Sequence, residues 1–137
     1  MANISITAAN VIAGAGSVQD QGIAGTTITA GQVVYKAATG KYLLADADED
    51  TAVERAPKGI ALNGASDGQP LRFLKAGPIT IGATLTAGTF YFLSDDAGGI
   101  CPLADVTGGD YIVQIGYAKD AAVLMVDFQI TNVATAP

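Results

Sequence analysis

The sequence predicts a mainly β protein: a compact β-sandwich or small barrel built from two repeated β units, with an extended N-terminal arm. Three observations indicate this fold, namely an internal repeat, short runs of β-branched and aromatic residues, and glycine clusters that bound these runs. The chain has 137 residues, which suffices for one domain that buries its own core.

The internal repeat consists of a first unit at 26–74 and a second at 83–128, joined by residues 75–82. Its anchors keep one spacing, since Thr86 follows Thr29 by 57 positions (86 − 29) and Gly116 follows Gly59 by 57 (116 − 59). Repeated units of this kind usually cannot bury their apolar faces alone. We therefore expect the two units to pack on each other, because closure into a sandwich or barrel removes exposed sheet edges.

Gly31 and Gly88 occupy equivalent positions in the two units, directly after a Thr-Ala pair. We predict that both are structural turn residues with positive φ, which glycine adopts without steric cost. A bulkier residue is then expected to impair folding similarly at either position.

Runs of β-branched and aromatic residues between turn signals predict the strands. The predicted strands are Val33–Tyr35, Tyr42–Leu44, Gly59–Leu62, Pro70–Leu74, Ile79–Ile81, Phe90–Leu93, Tyr111–Tyr117 and Val123–Ile130.

Outside these runs the patterns differ. Residues 1–25 lack a bounded hairpin and predict an extended arm that is ordered mainly when it meets a partner. Residues 131–137 are predicted to form a C-terminal tail. The one candidate helical turn is Asp46–Ala56, whose acidic residues favour a helix N-terminus.

Composition argues against several function classes. The net charge is −6, and the 7 basic residues are scattered, so we predict no nucleic-acid partner, since phosphate binding needs clustered Lys and Arg. No stretch approaches the roughly 20 continuous apolar residues of a membrane span, and no secretory signal is recognisable. The chain contains no histidine, the commonest general base and metal ligand. We therefore predict a non-enzymatic protein without catalytic residues, cofactor or metal.

Three local motifs have structural interpretations that we favour. Gly64-Ala65-Ser66-Asp67-Gly68 matches a nucleophile elbow, but no helix-forming segment follows it and no histidine can serve it, which favours a hairpin turn. Asp46, Asp48 and Asp50 have calcium-loop spacing without the glycine and glutamate that such loops require, which favours a solvated acidic loop. The lone Cys101 is predicted to be a small buried apolar residue.

Six segments distributed along the chain share a pattern with one known family. They are Ile6–Val11, Gly22–Gly25, Ile28–Tyr35, Leu44–Asp46, Gly59–Ala65 and Gly68–Leu71. Together they resemble the small capsid decoration (cement, head-stabilising) proteins of tailed bacteriophages.

The resemblance implies a β-rich homotrimer, whether sandwich, barrel or tulip-like, bound to the exterior of the expanded capsid. There it would hold neighbouring major capsid proteins together, after synthesis in the host bacterial cytoplasm. In such proteins an N-terminal segment commonly contacts the shell, which makes Ile4, Ile6, Val11 and Ile12 the candidate capsid-contact residues. The resemblance brings no catalytic residues.

Two other functions stay open. A phage tail or head-fibre base protein would share the structural class but occupy another place on the virion. A glycan-binding adsorption module would use aromatic side chains such as Tyr42 or Tyr91 to stack on sugars, although core and interface packing is our preferred interpretation of the aromatic residues.

Overall fold

The structure, a computed structural model, describes residues 3–47, 53–106 and 108–135. These residues form ten β-strands and two short 3-10 helices, at Ala8–Asn10 and Leu103–Asp105, and contain no α-helix. In chain order the strands are β1 (Ile12–Ala13), β2 (Val18–Ile23), β3 (Val33–Lys36), β4 (Tyr42–Leu44), β5 (Gly59–Ala61), β6 (Pro70–Thr80), β7 (Phe90–Leu93), β8 (Ile100–Pro102), β9 (Tyr111–Ala118) and β10 (Val123–Ala134).

The strands form one antiparallel sheet in the order β4-β3-β5-β6-β10-β9-β7-β8, and β1 and β2 pair with β6 outside this path. The sheet curls into a half-barrel. The predicted mainly β fold is therefore confirmed, with the curvature bringing the two ends of the sheet toward each other.

Residues 26–74, called unit 1 below, and residues 83–128, called unit 2, have the same strand order outward from the central β6–β10 pair. Their turns also make matching hydrogen bonds. The Gly31 N–H donates to the Ala61 carbonyl at 2.8 Å, and the Gly88 N–H donates to the Ala118 carbonyl at 2.8 Å. Both glycines have positive φ, 95° and 80°. This correspondence is what a duplicated unit would produce.

One core is shared by both units, as expected of units that cannot bury their apolar faces alone. It includes Val33, Tyr35, Ile60 and Leu74 from unit 1 and Tyr91, Leu93, Ile100, Val113, Ile115 and Leu124 from unit 2. A second cluster packs on the other face of the unit 1 strands, where Ala24 and Ile28 cover Val34, Tyr42, Ala61 and Phe73.

Strand β6 joins the two units and has an irregular backbone around Gly77. The predicted link at 75–82 is wrong as a separate connection, because Lys75–Thr80 continue this strand. Gly77 has a φ of 97°, and a Cβ built on it would lie 3.0 Å from Ser17 Cα, so the β1–β2 turn passes directly over it. Leu74 and Ile79 both face the shared core, although a regular strand places residues an odd number apart on opposite faces. The irregular register between β2 and β6, where Val18 pairs with Ala76 and Gln19 with Leu74, accounts for this inversion.

The segment after β4 closes the half-barrel against unit 2. The Gly98 N–H donates to the Ala45 carbonyl at 2.7 Å, and the Ala47 N–H donates to the Ser94 carbonyl at 3.0 Å. The turn between β7 and β8 is thereby attached to unit 1.

Strand β10 is longer than the sequence pattern indicates. The predicted tail at 131–137 is wrong for Thr131–Ala134, which belong to β10 and extend its pairing with β9 to Ala134 and Tyr111. The register of this pairing shifts between Ile130 and Ala134. The shift has a local cause, since Thr131 Oγ1 donates to the Ile112 carbonyl at 2.6 Å and Asn132 adopts a φ of 55°. Bulged pairing of this kind has no period of two, so alternation in the sequence does not reveal it.

Two other predictions concern helices. Of the predicted helical turn Asp46–Ala56, residues 48–52 lie outside the described residues, and its described flanks contain no helix. In the part of the chain that the structure describes, no helix is long and apolar enough to cross a membrane.

Candidate interaction surfaces

The N-terminal segment lies along the body of the protein instead of extending away from it. Strands β1 and β2 both pair with β6. Before them, the Ile4 N–H donates to the Ile100 carbonyl at 2.9 Å and the Thr7 N–H donates to the Gly82 carbonyl at 2.8 Å. The expectation of an arm ordered mainly by a partner thus differs from the structure, in which the segment satisfies its backbone groups on the chain's own sheet.

The four predicted capsid-contact residues divide into two groups. Ile4, Ile6 and Val11 are half-buried and pack against the shared core. Ile12 is 62% exposed, because β1 places it on the opposite face from Ala13. Of the four, Ile12 is therefore the residue whose side chain faces solvent.

A polar network attaches the start of the segment to the β7–β8 turn. The buried Ser94 hydroxyl donates to Asn3 Oδ1 at 2.6 Å, and Asn3 Nδ2 donates to Asp96 Oδ2 at 2.8 Å. The Asp96 N–H in turn donates to Ser94 Oγ at 3.0 Å. Asn3 thus uses both ends of its amide, which is what makes it suited to hold two groups of the turn at once.

An apolar row crosses the outer side of the sheet next to Ile12. Direct register partners across four strands are Pro78 on β6, Met125 on β10, Tyr117 on β9 and Phe90 on β7. One pair further along, Ile12 lies opposite Thr80, and Thr80 lies opposite Val123. We call this surface the apolar outer face and define it by Ile12, Pro78, Phe90, Tyr117, Val123 and Met125.

The apolar outer face contains no ionisable side chain other than the Tyr117 phenol. Phe90 is 49% exposed and Tyr117 40%, and their ring centroids are 5.9 Å apart. Alternate residues of the same strands, such as Tyr91 and Leu124, belong to the core. The strands here are thus apolar on both sides, and contiguous apolar surface that faces solvent is typical of a contact site for another macromolecule.

The two tyrosines considered for sugar stacking do not offer their rings to solvent. Tyr42 is buried against Phe73, with ring centroids 4.6 Å apart. Tyr91 is buried, and its hydroxyl accepts a hydrogen bond from the Thr86 N–H at 3.0 Å. Phe90 and Tyr117 are instead the aromatic residues most exposed to solvent, and alternation alone could not distinguish them from core residues.

The nucleophile-elbow match and the lone cysteine lie in settings that explain them structurally. Gly64–Gly68 leads into strand β6, with the Gln69 N–H donating to the Ser66 carbonyl at 2.9 Å, so the segment is a turn between strands. Burial, followed by the negative charges of nearby aspartates with Asp105 first, raises the pKa of the Cys101 thiol to about 12, which keeps it protonated at neutral pH.

Within residues 3–47, 53–106 and 108–135, no three side chains of Asp, Glu, His or Cys are grouped to hold a metal ion. Asp48 and Asp50 of the acidic loop lie outside the described residues.

Comparison with known proteins adds no family assignment. No protein-family model matches the chain, and no curated protein is significantly similar to it in sequence.

Proposed function

We propose that the chain is a structural virion protein that binds the outer surface of the expanded capsid of a tailed bacteriophage. It would act as an oligomer, a homotrimer by resemblance, and stabilise contacts between neighbouring major capsid proteins. The observation that carries this proposal is the apolar outer face, which joins the exposed Ile12 of the N-terminal segment to an exposed aromatic pair of unit 2.

The physical mechanism follows from multivalency and linkage. Three copies held together bind one capsid location with high avidity even if each docking surface binds weakly by itself. A protein that binds the expanded shell in preference to the compact one stabilises the expanded shell by that difference in affinity. Neither step requires a cofactor or a chemical reaction.

Co-sedimentation with expanded capsids that lack the protein tests the proposal, read as copies bound per capsid. We expect saturation near one copy per major capsid protein. If the protein does not bind capsids and is found in purified tails, its proposed location changes to the tail or head-fibre base.

Point substitutions test the docking surface better than truncation. Removing about 20 residues would delete β1 and the core packing of Ile4, Ile6 and Val11, and would therefore destabilise the body. Ile12→Asp and Phe90→Ser change exposed side chains, and each should weaken capsid binding without unfolding the protein. Val133→Asp, at a residue 56% exposed outside the apolar outer face, is the matched control. Normal capsid binding by both test variants would contradict the assigned surface.

A second candidate function, glycan binding, is favoured by the exposed Phe90–Tyr117 pair, since aromatic rings of this kind can stack on sugars. A glycan array distinguishes it. Consistent binding that Tyr117→Ala abolishes would support an adsorption module, and no binding would exclude it for the sugars on the array.

A further inference from the structure

An exposed leucine of unit 2 and an apolar cavity of unit 1 form complementary surfaces. We infer that they join one copy of the chain to the next, so that Leu103 of each copy enters the cavity of its neighbour. Leu103 lies in the 3-10 helix after β8 and is 56% exposed. The cavity has a volume of about 370 Å³ and is lined by Lys36, Ala37, Ala38, Val53, Ala56 and Lys58.

The structure contains an internal contact of the same kind. The same tripeptide occurs in both units, as Leu44-Ala45-Asp46 beginning at the last residue of β4 and as Leu103-Ala104-Asp105 directly after β8. In unit 1 this tripeptide docks on the β7–β8 turn, where the side chain of Leu44 packs over Gly98 and the Ala45 carbonyl accepts the Gly98 N–H. The tripeptide sequence is therefore suited to pack on a hairpin turn of the other unit.

The second copy of this contact is absent within the described residues. Leu103 and Ala104 face solvent. Gly40 has the same place in the β3–β4 turn as Gly98 has in the β7–β8 turn, with φ values of 87° and 78°, but no atom lies within 4 Å of the Cβ position of Gly40. Unit 1 thus has an open turn beside the cavity, and unit 2 has an undocked tripeptide. One neighbouring copy would supply what each lacks.

Charge favours this pairing of unlike surfaces. Unit 2 carries six aspartates and one lysine, a net charge of −5, whereas unit 1 carries six acidic and five basic residues, a net charge of −1. Asp105 ends the exposed tripeptide, and Lys36 and Lys58 line the cavity. Neither lysine forms an ion pair within the described residues. Both units have a negative net charge, but this pairing places Asp105 close to Lys36 and Lys58, whereas a contact between two copies of unit 2 would oppose twelve aspartates with two lysines.

A contact between two different surfaces is heterologous, and a ring of three identical chains is built from such contacts. The inference therefore specifies which surfaces would join the copies in the oligomer of the proposed function. It rests on the proposed function only for the number of copies in the ring. It does not require that the ring bind a capsid.

Analytical ultracentrifugation of the purified full-length chain, without capsids, tests the inference from about 1 μM to about 0.1 mM. We expect the wild type to form a closed oligomer. Leu103→Asp should raise the dissociation constant of the oligomer at least about tenfold, because a leucine buried in the contact is replaced by a charged residue. Val133→Asp introduces the same charge at an equally exposed residue and should leave the oligomer's mass in solution as in the wild type. A wild type that stays monomeric, or a Leu103→Asp variant with wild-type association, would overturn the inference.

Charge reversal provides a second, independent measurement. Asp105→Lys and the double variant Lys36→Glu/Lys58→Glu should each weaken association, and the three substitutions combined should restore at least part of it. A combined variant that associates no better than either parent would also overturn the inference. Co-sedimentation separates this result from the proposed function: wild-type oligomers that fail to bind capsids refute only the capsid role.

Discussion

Equivalent residue pairs in the two units face opposite sides of the sheet. In unit 1, Val33 on β3 pairs with Ile60 on β5, and both are fully buried in the shared core. In unit 2, Phe90 on β7 pairs with Tyr117 on β9 at the same positions of the repeat, and both are exposed. The same local pairing therefore builds the core in one unit and the apolar outer face in the other.

The irregularity in β6 explains this difference. A regular strand alternates its faces with period two, so one extra residue transfers every later side chain to the opposite face. Leu74 before Gly77 and Ile79 after it both point into the core, and the strands of unit 2 continue with the inverted assignment. Sequence similarity between repeats therefore conserves pairing and turns, while the connection between them decides which face becomes a surface.

The largest expected difference between the units concerns their equivalent glycines Gly116 and Gly59. A Cβ on Gly116 would overlap the Met125 carbonyl oxygen, a backbone atom of the neighbouring strand. On Gly59 the nearest atom is in the Phe73 ring, which can shift more easily. We expect Gly116→Ala to destabilise the fold by about 3 kcal/mol or more and Gly59→Ala by about 1–2 kcal/mol, as overpacking does. Urea unfolding measures both, and equal losses would contradict the assigned strand spacing.

The turn glycines Gly31 and Gly88 should also differ, contrary to the similar effects that the repeat predicts. Positive φ alone costs an alanine about 1–2 kcal/mol at either position. At Gly31 the added Cβ would also lie 2.5 Å from Ile6 Cγ2, whereas at Gly88 it meets no atom within 4 Å. We expect Gly31→Ala to lose about 1 kcal/mol more than Gly88→Ala in urea unfolding. The double variant Gly31→Ala/Ile6→Ala should recover part of this difference if the N-terminal segment is its cause.

A smaller effect is expected from the network that holds the β7–β8 turn. Asn3→Ala removes the acceptor of the buried Ser94 hydroxyl and the donor to Asp96, and should destabilise the fold by about 1 kcal/mol. Hydrogen exchange should accelerate at the Ile4 and Thr7 amides. In the open β3–β4 turn, Thr39→Ala is the control, with a change within about 0.5 kcal/mol. Unchanged exchange in Asn3→Ala would show that the segment is held without this network.

The smallest effect compares Asp120 with Asn63, which occupy equivalent turns. Asp120 Oδ1 accepts the Ala122 and Val123 N–H groups, each at 2.8 Å, and Asn63 Oδ1 accepts the Arg72 N–H at 2.7 Å. The hydrogen bonds from the Ala122 and Val123 N–H groups lower the pKa of Asp120 below its usual value of 3.8.

A lowered pKa gives stabilisation that is present above the unfolded-state value and is lost as the pH falls through the folded-state value. We therefore expect the β9–β10 turn to loosen in acid, seen as faster exchange at the Ala122 and Val123 amides corrected for intrinsic rates. Asp120→Asn should remove this pH dependence, because an asparagine does not titrate. The equivalent turn at Asn63 should likewise show none. A pH dependence that persists in Asp120→Asn would assign it to another group.

Local sequence patterns determined the elements that depend on neighbouring residues. Strands such as Val33–Lys36 and Phe90–Leu93, and the positive φ of Gly31 and Gly88, follow from side-chain branching and glycine stereochemistry, which act within a few residues. The 57-residue spacing likewise anticipated the equivalent strand order of the two units.

Tertiary structure decided what lies on each surface. The sequence marked Ile4, Ile6, Val11 and Ile12 as one group, but pairing with β6 and contact with the core leave only Ile12 exposed. It likewise could not separate the buried Tyr91 from the exposed Phe90 beside it. The physical reason is that a strand apolar on both faces carries no periodic signal, so burial depends on the bulge in β6 and on the curl of the sheet, which long-range pairing alone determines.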